Sequence, residues 1–159
     1  MQISTLAAAS VLAAASVEAA YPTINLGTFA YSHGNQFVAW SPFTPTTTQE
    51  LVEVCDTAGA IRGTATWTAI RVANTYVFDP ICRKPFNITD DATNTTYTNL
   101  ELACVDDNID IHLEPEVTAV VDRNTNKTIE TCIPIPRDSP IRNSNCGVNA
   151  LAFKYNCNA

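Results

Sequence analysis

Asp110, His112 and Glu114 are the residues whose types and spacing come nearest to a chemical site. On a β-strand, alternate residues share a face at steps of about 6.6–6.8 Å. The trio would then present carboxylate, imidazole and carboxylate together, a set able to hold a divalent metal or relay a proton. A solvated strand face carries the same pattern, and that is the reading expected here. The wider segment opens like a calcium loop, with Asp106, Asn108 and Asp110. Such a loop needs glycine at its sixth position and glutamate at its twelfth, where this chain has Ile111 and Val117. Calcium is excluded on that ground, and no metal or other cofactor is expected.

The chain has only two histidines, His33 and His112. Brought together by folding, they would form a general acid and base for RNA cleavage, with Arg62 or Arg71 steadying the transition-state charge. No local ribonuclease motif accompanies them, and His33-Gly34-Asn35 reads more simply as a turn. After the leader the serines are Ser32, Ser41, Ser139 and Ser144, none of them in a G-x-S-x-G elbow. H-E-x-x-H, a phosphate loop and a dinucleotide fingerprint are all missing from the sequence. A non-enzymatic protein is expected, with a small secreted hydrolase or ribonuclease as the rival.

Aromatic residues offer a different chemistry. A pyranose ring packs its C–H face on an exposed π-system. Trp40, beside Ser41-Pro42-Phe43 at a strand end, is the candidate for such a platform, with Phe43 and Tyr31 as neighbours. Trp67 lies mid-strand and is expected in the core. A carbohydrate-binding module is therefore a second alternative.

The amino terminus gives the address. Leu6 to Val17 is an uncharged apolar run of 12 residues, and Val17-Glu18-Ala19 places small residues at −3 and −1 of a cut after Ala19. That is the layout of a signal peptide, too short for the ~20 residues of a membrane span. A single secreted domain, residues 20–159, would follow. All six cysteines lie in it: Cys55, Cys82, Cys104, Cys132, Cys146 and Cys157. No two are closer than eleven residues, which argues against zinc and for three disulfides, with the 15 possible pairings left open. The formal charge of −7 and pI of 4.6 oppose a broad nucleic-acid-binding face. No nucleic acid or membrane is expected as a partner. Three N-x-T sequons, at Asn87, Asn94 and Asn126, fall in turn-like polar stretches open to a glycan.

The elements that must carry these groups are mostly strands. One helix, about residues 47–58, is signalled by the capping box Thr47-Thr-Gln-Glu50 and by Leu51, Val54, Cys55 and Ala58 at helical spacing, with Gly59 as its stop. Elsewhere the pattern alternates: Ile24 to Tyr31, Thr64 to Val72, Tyr76 to Phe78, Leu100 to Cys104 and Ile109 to Leu113. Ala65, Trp67 and Ala69 share one face while Ile70 and Val72 take the other, which points to a bulge. Val117 to Val121 and Thr128 to Ile133 read as a hairpin with Asn126 at its tip. Leu151, Phe153, Tyr155 and Cys157 make a last strand. No internal repeat or linker divides the chain. The expected fold is mainly β, a disulfide-braced antiparallel sandwich or barrel with one packed helix, with α+β as the alternative.

An Ala/Ser-rich leader opening Met1-Gln-Ile-Ser-Thr5, an acidic mature domain of 140 residues and an even cysteine set resemble the small secreted cysteine-rich proteins of filamentous fungi. Many of that class are effectors. The resemblance implies a secreted, virulence-associated or surface-antigen protein that binds a host protein or a wall polysaccharide.

Overall fold

The computed structural model describes residues 21–32, 34–56, 65–73, 81–90, 92–106 and 116–159, with backbone alone for 56 and 65–73. The leader, Gly59 and the strands expected at Tyr76 to Phe78 and Ile109 to Leu113 lie outside the described residues.

The described residues form nine strands and one helix in the order β1 (Ile24–Tyr31), β2 (Gly34–Pro42), α1 (Thr48–Asp56), β3 (Ala65–Ala73), β4 (Phe86–Asp90), β5 (Thr95–Cys104), β6 (Val117–Asp122), β7 (Lys127–Pro134), β8 (Asn143–Cys146) and β9 (Asn149–Asn158). All the ladders are antiparallel, in the order β3-β2-β1-β9-β7-β6-β5-β4, and β3 and β4 come side by side to bend the sheet into a nearly closed barrel. The fold is mainly β, and the α+β alternative falls. β9 is the spine. β1 pairs along one edge of it, while β8 and β7 share the other edge, β8 on Asn149–Ala152 and β7 on Tyr155–Asn158.

Two apolar cores lie on opposite faces of this sheet. The interior holds Ile24, Leu26, Phe37, Ala39, Leu100, Leu102, Val117, Val120, Tyr155 and Cys157. Outside the β2-β1-β9 wall a second core gathers Phe29, Val38, Trp40, Leu151 and Phe153 under Leu51, Val54 and Cys55 of α1. A bulge lets β9 serve both. Leu26 pairs with Tyr155 but Gly27 with Phe153, so Lys154 is an extra residue and the inside-outside parity reverses there. Gly27 is required at this crossing. A Cβ on it would sit 2.5 Å from the Ala152 carbonyl oxygen and 3.1 Å from the Trp40 ring. The bulge expected in β3 is also present, since Phe37 pairs with Arg71 and Val38 with Ala69, leaving Ile70 unpaired.

Helix α1 forms where the capping box places it. The Thr47 hydroxyl accepts the Glu50 N–H at 3.2 Å, and Glu50 accepts the amides of Thr46 and Thr47 at 2.7 and 3.0 Å. These bonds, that from the Thr46 amide first, hold the Glu50 carboxyl below its ordinary value. Leu51, Val54 and Cys55 are buried and Glu53 is exposed, as the helical spacing requires. Val54→Asp is therefore expected to cost about 3 kcal/mol or more through an unpaired buried charge. Glu53→Ala should stay within about 0.5 kcal/mol. Equal urea midpoints for the two variants would overturn this facing.

The cysteines pair as Cys55–Cys146, Cys82–Cys104 and Cys132–Cys157. The first ties α1 to β8, and the third joins residues directly opposite one another on β7 and β9.

Candidate functional site

The chemistry-bearing residues singled out from the sequence are not assembled by what is described. Asp110, His112, Glu114, His33 and Arg62 lie outside the described residues, and Arg71 lies on β3 with backbone alone. Among the described residues, no three His, Cys, Asp or Glu side chains gather as a metal site.

The stacking platform is corrected. Trp40 is 0% exposed. Its outward face of β2 is covered by the second core, where its ring lies tilted against Phe153 with centroids 5.2 Å apart. The indole N–H donates to the Phe43 carbonyl at 3.1 Å, so the polar edge of the ring is also satisfied internally. Phe43 and Tyr31 are half-buried against the same core, and Tyr31 stacks on Phe29. A buried amide network holds this corner. Asn25 donates to the Phe43 carbonyl at 3.0 Å, while its own Oδ1 accepts from Thr44 at 3.1 Å and Asn156 at 2.9 Å.

The best-built surface feature is a pair of hairpin turns. The segment Asp-x-x-Thr-Asn-x-Thr occurs at residues 90–96 and again at 122–128, linking β4 to β5 and β6 to β7. In each, the Asp carboxylate accepts the backbone N–H two residues on, Ala92 at 3.0 Å and Asn124 at 2.8 Å. Its second oxygen accepts the Thr hydroxyl three residues on, Thr93 at 2.8 Å and Thr125 at 3.1 Å. This is an Asx turn reinforced by threonine. Asn94 and Asn126 then take the left-handed backbone, φ 51° and 56°, which asparagine tolerates better than other side-chain-bearing residues. In the second turn the Asn124 N–H, helped by the hydroxyls of Thr125 and Tyr21, holds the Asp122 carboxyl below its ordinary value. Each turn ends in a sequon with its asparagine exposed.

The third sequon asparagine stands differently. Asn87 lies within β4, not in a turn, because Phe86 and Ile88 on either side are buried in the barrel. It is exposed, and its Oδ1 accepts the Asn99 N–H at 3.0 Å. Asn99 in turn donates to Asn124 at 2.7 Å, which joins Asn87 to the β6–β7 turn. All three sequons thus lie toward one end of the barrel. Val105, just past β5, and Val148, in the β8–β9 turn, are 67% and 90% exposed at the other end.

Two buried carboxylates went unread in the sequence. Glu101 lies on the outer face of β5, where Arg83 at 2.8 Å and Arg123 at 3.0 Å clamp its two oxygens. Glu130 lies on β7 opposite Val120, on the inward face it shares with Cys132. It is 1% exposed, and neither carboxyl oxygen has a hydrogen-bond partner among the described residues. Burial pushes its carboxyl up to about 8, opposed by the Ile24 amide, which faces it without reaching hydrogen-bond geometry. A signal for it existed: a strand that buries a half-cystine at Cys132 must turn the residue two before it the same way.

No protein-family model matches the sequence, and no curated protein or solved structure matches it either.

Proposed function

We propose that this is a secreted glycoprotein that acts by recognition rather than catalysis, in the manner of a fungal effector or surface antigen, on a host protein or a wall polysaccharide. Three disulfides fit an oxidising extracellular setting. The observation that carries the reading is the polarity of the barrel. Three exposed sequons lie toward one end, and exposed aliphatic side chains, Val105 and Val148, stand at the other. Glycans at the first end would leave the second open to a partner.

The test is retention of the oxidised mature protein on insoluble chitin, β-glucan, cellulose and xylan, before and after enzymatic deglycosylation. Retention on one polymer, competed by its soluble oligosaccharide, identifies a wall ligand. Absence of retention directs the search to a host protein. A hydrolase or ribonuclease activity that disappears in the His33→Ala, His112→Ala double variant would overturn the non-enzymatic reading.

Glycosylation has its own check. Thr96→Ala and Thr128→Ala each break one sequon while leaving the Asp and first Thr of the turn intact. Each is expected to remove one glycan's mass from the secreted protein, read by mass spectrometry. An unchanged mass in both would show the twin turns to be bare.

A further inference from the structure

We propose that Glu130 is a proton-operated latch in the barrel wall: the wall is closed while the carboxyl is protonated, and the β6–β7 seam opens locally when the proton leaves. The latch does not depend on what the barrel binds.

The geometry carries this. Glu130 points into an interior walled by Ile24 and Leu26 of β1, Leu100 and Leu102 of β5, Val117 and Val120 of β6, Cys132 of β7 and Tyr155 and Cys157 of β9. Among these only Tyr155 titrates besides Glu130. Tyr97 and Tyr21 pack against the interior, and burial, with the nearby Asp90 charge, raises the Tyr97 phenol further. Asp122 is bonded to Tyr21 and its own turn. Arg83 and Arg123 clamp Glu101 on the outer face, and Lys127 at the head of β7 is exposed. Among the residues whose side chains are described, no lysine, arginine or histidine is buried, and Arg71, opposite Phe37 on β3, has its backbone alone described. An ionised Glu130 would therefore be a buried charge without a counter-charge among those side chains, a state that proteins avoid by keeping the proton or by exposing the group.

Exposure has a ready route. The β6–β7 ladder is irregular at this point: Val120 pairs with Glu130 but Val121 with Thr128, which leaves Ile129 as an extra residue beside the latch. The pairing of β6 with β7 is thus locally disrupted beside the carboxyl.

The direction with pH follows from the proton count. Between the ordinary carboxyl value of 4.5 and about 8, the folded chain holds a proton that the unfolded chain has lost. Stability is fully present below the lower value and falls as pH rises toward the upper one, with an opening constant that grows up to about tenfold per pH unit. Glu50 and Asp122 have lowered values and act with the opposite sign, but only at more acid pH.

The experiment follows the urea midpoint of the oxidised protein from about pH 5 to about pH 8, beside Glu130→Gln and Glu130→Met. Wild type is expected to lose midpoint steadily over that window, and the variants to stay level or fall less. Hydrogen exchange, corrected for its intrinsic pH dependence, should show β6 and β7 amides opening first. A wild-type midpoint that does not fall, or variants that fall in parallel with it, would overturn the proposal. Should neither variant fold, the infrared carbonyl band of a protonated carboxylic acid in wild type decides. Its persistence to neutral pH supports the latch, and its loss by about pH 5 refutes it.

Discussion

Trp40→Ala is expected to destabilise the protein by about 3–5 kcal/mol, the range for removing a fully buried large aromatic. The loss is dominated by the cavity, not by the lost indole hydrogen bond. The Phe43 carbonyl that the indole contacts also accepts from Asn25, so truncation orphans no acceptor. What remains is a hollow between Phe153, Leu151 and Gly27, and the glycine has no side chain to move into it. Urea unfolding measures the cost. The same variant separates two accounts of sugar binding: any retention on polysaccharide should be lost only in proportion to the unfolded fraction. A cost under about 1 kcal/mol, with selective loss of retention, would restore Trp40 as a surface platform.

The second large effect concerns the cross-links, which should not be equivalent. Cys55–Cys146 closes 91 residues, whereas Cys82–Cys104 and Cys132–Cys157 close 22 and 25. Chain entropy alone then assigns about 4.6 kcal/mol to the first and about 3.5 kcal/mol to each of the others. Paired alanine replacements at Cys55 and Cys146 should give the lowest denaturation midpoint of the three double variants. The long link also joins α1 to β8, and neither element is a member of the barrel path. A larger loss on removing Cys82–Cys104 would mean that native packing, not the unfolded chain, governs these bridges.

Much of this architecture was legible in residue order, for identifiable reasons. Helix α1 announces itself because capping and burial agree: Thr47 and Glu50 bond reciprocally, and Leu51, Val54 and Cys55 follow on one face. The β6–β7 hairpin was readable from the Asn-Thr-Asn turn between two apolar runs. Strand β9 was readable from apolar residues at every second position, although the extra Lys154 sends Leu151 and Phe153 to one face and Tyr155 and Cys157 to the other. Strand β2 was harder. Phe37, Val38, Ala39 and Trp40 are consecutive and all buried, since this strand has a core on each side and no polar face to betray its period. Strands β4 and β8 are short, five and four residues, and polar along their exposed sides. The candidate site fared less evenly. Trp40 was placed outside because a strand end beside proline resembles a surface corner, whereas α1, fixed by residues far along the chain, roofs it. The repeated Asp-x-x-Thr-Asn-x-Thr turn was missed because seven residues recurring once fall below any repeat period of a solenoid or propeller.

The single extra residue in β9 has a consequence for how the molecule comes apart. Leu151 and Phe153 belong to the outer core, and Tyr155 and Cys157 to the interior, on one continuous strand. Neither core can dissolve while that strand keeps its place, and neither survives its removal. The helix, with its covering turn, and the barrel are therefore one cooperative unit and not a stable cylinder with a detachable lid. Apart from the local opening of the β6–β7 seam, a protease would reach both sets of side chains only once β9 has left its place.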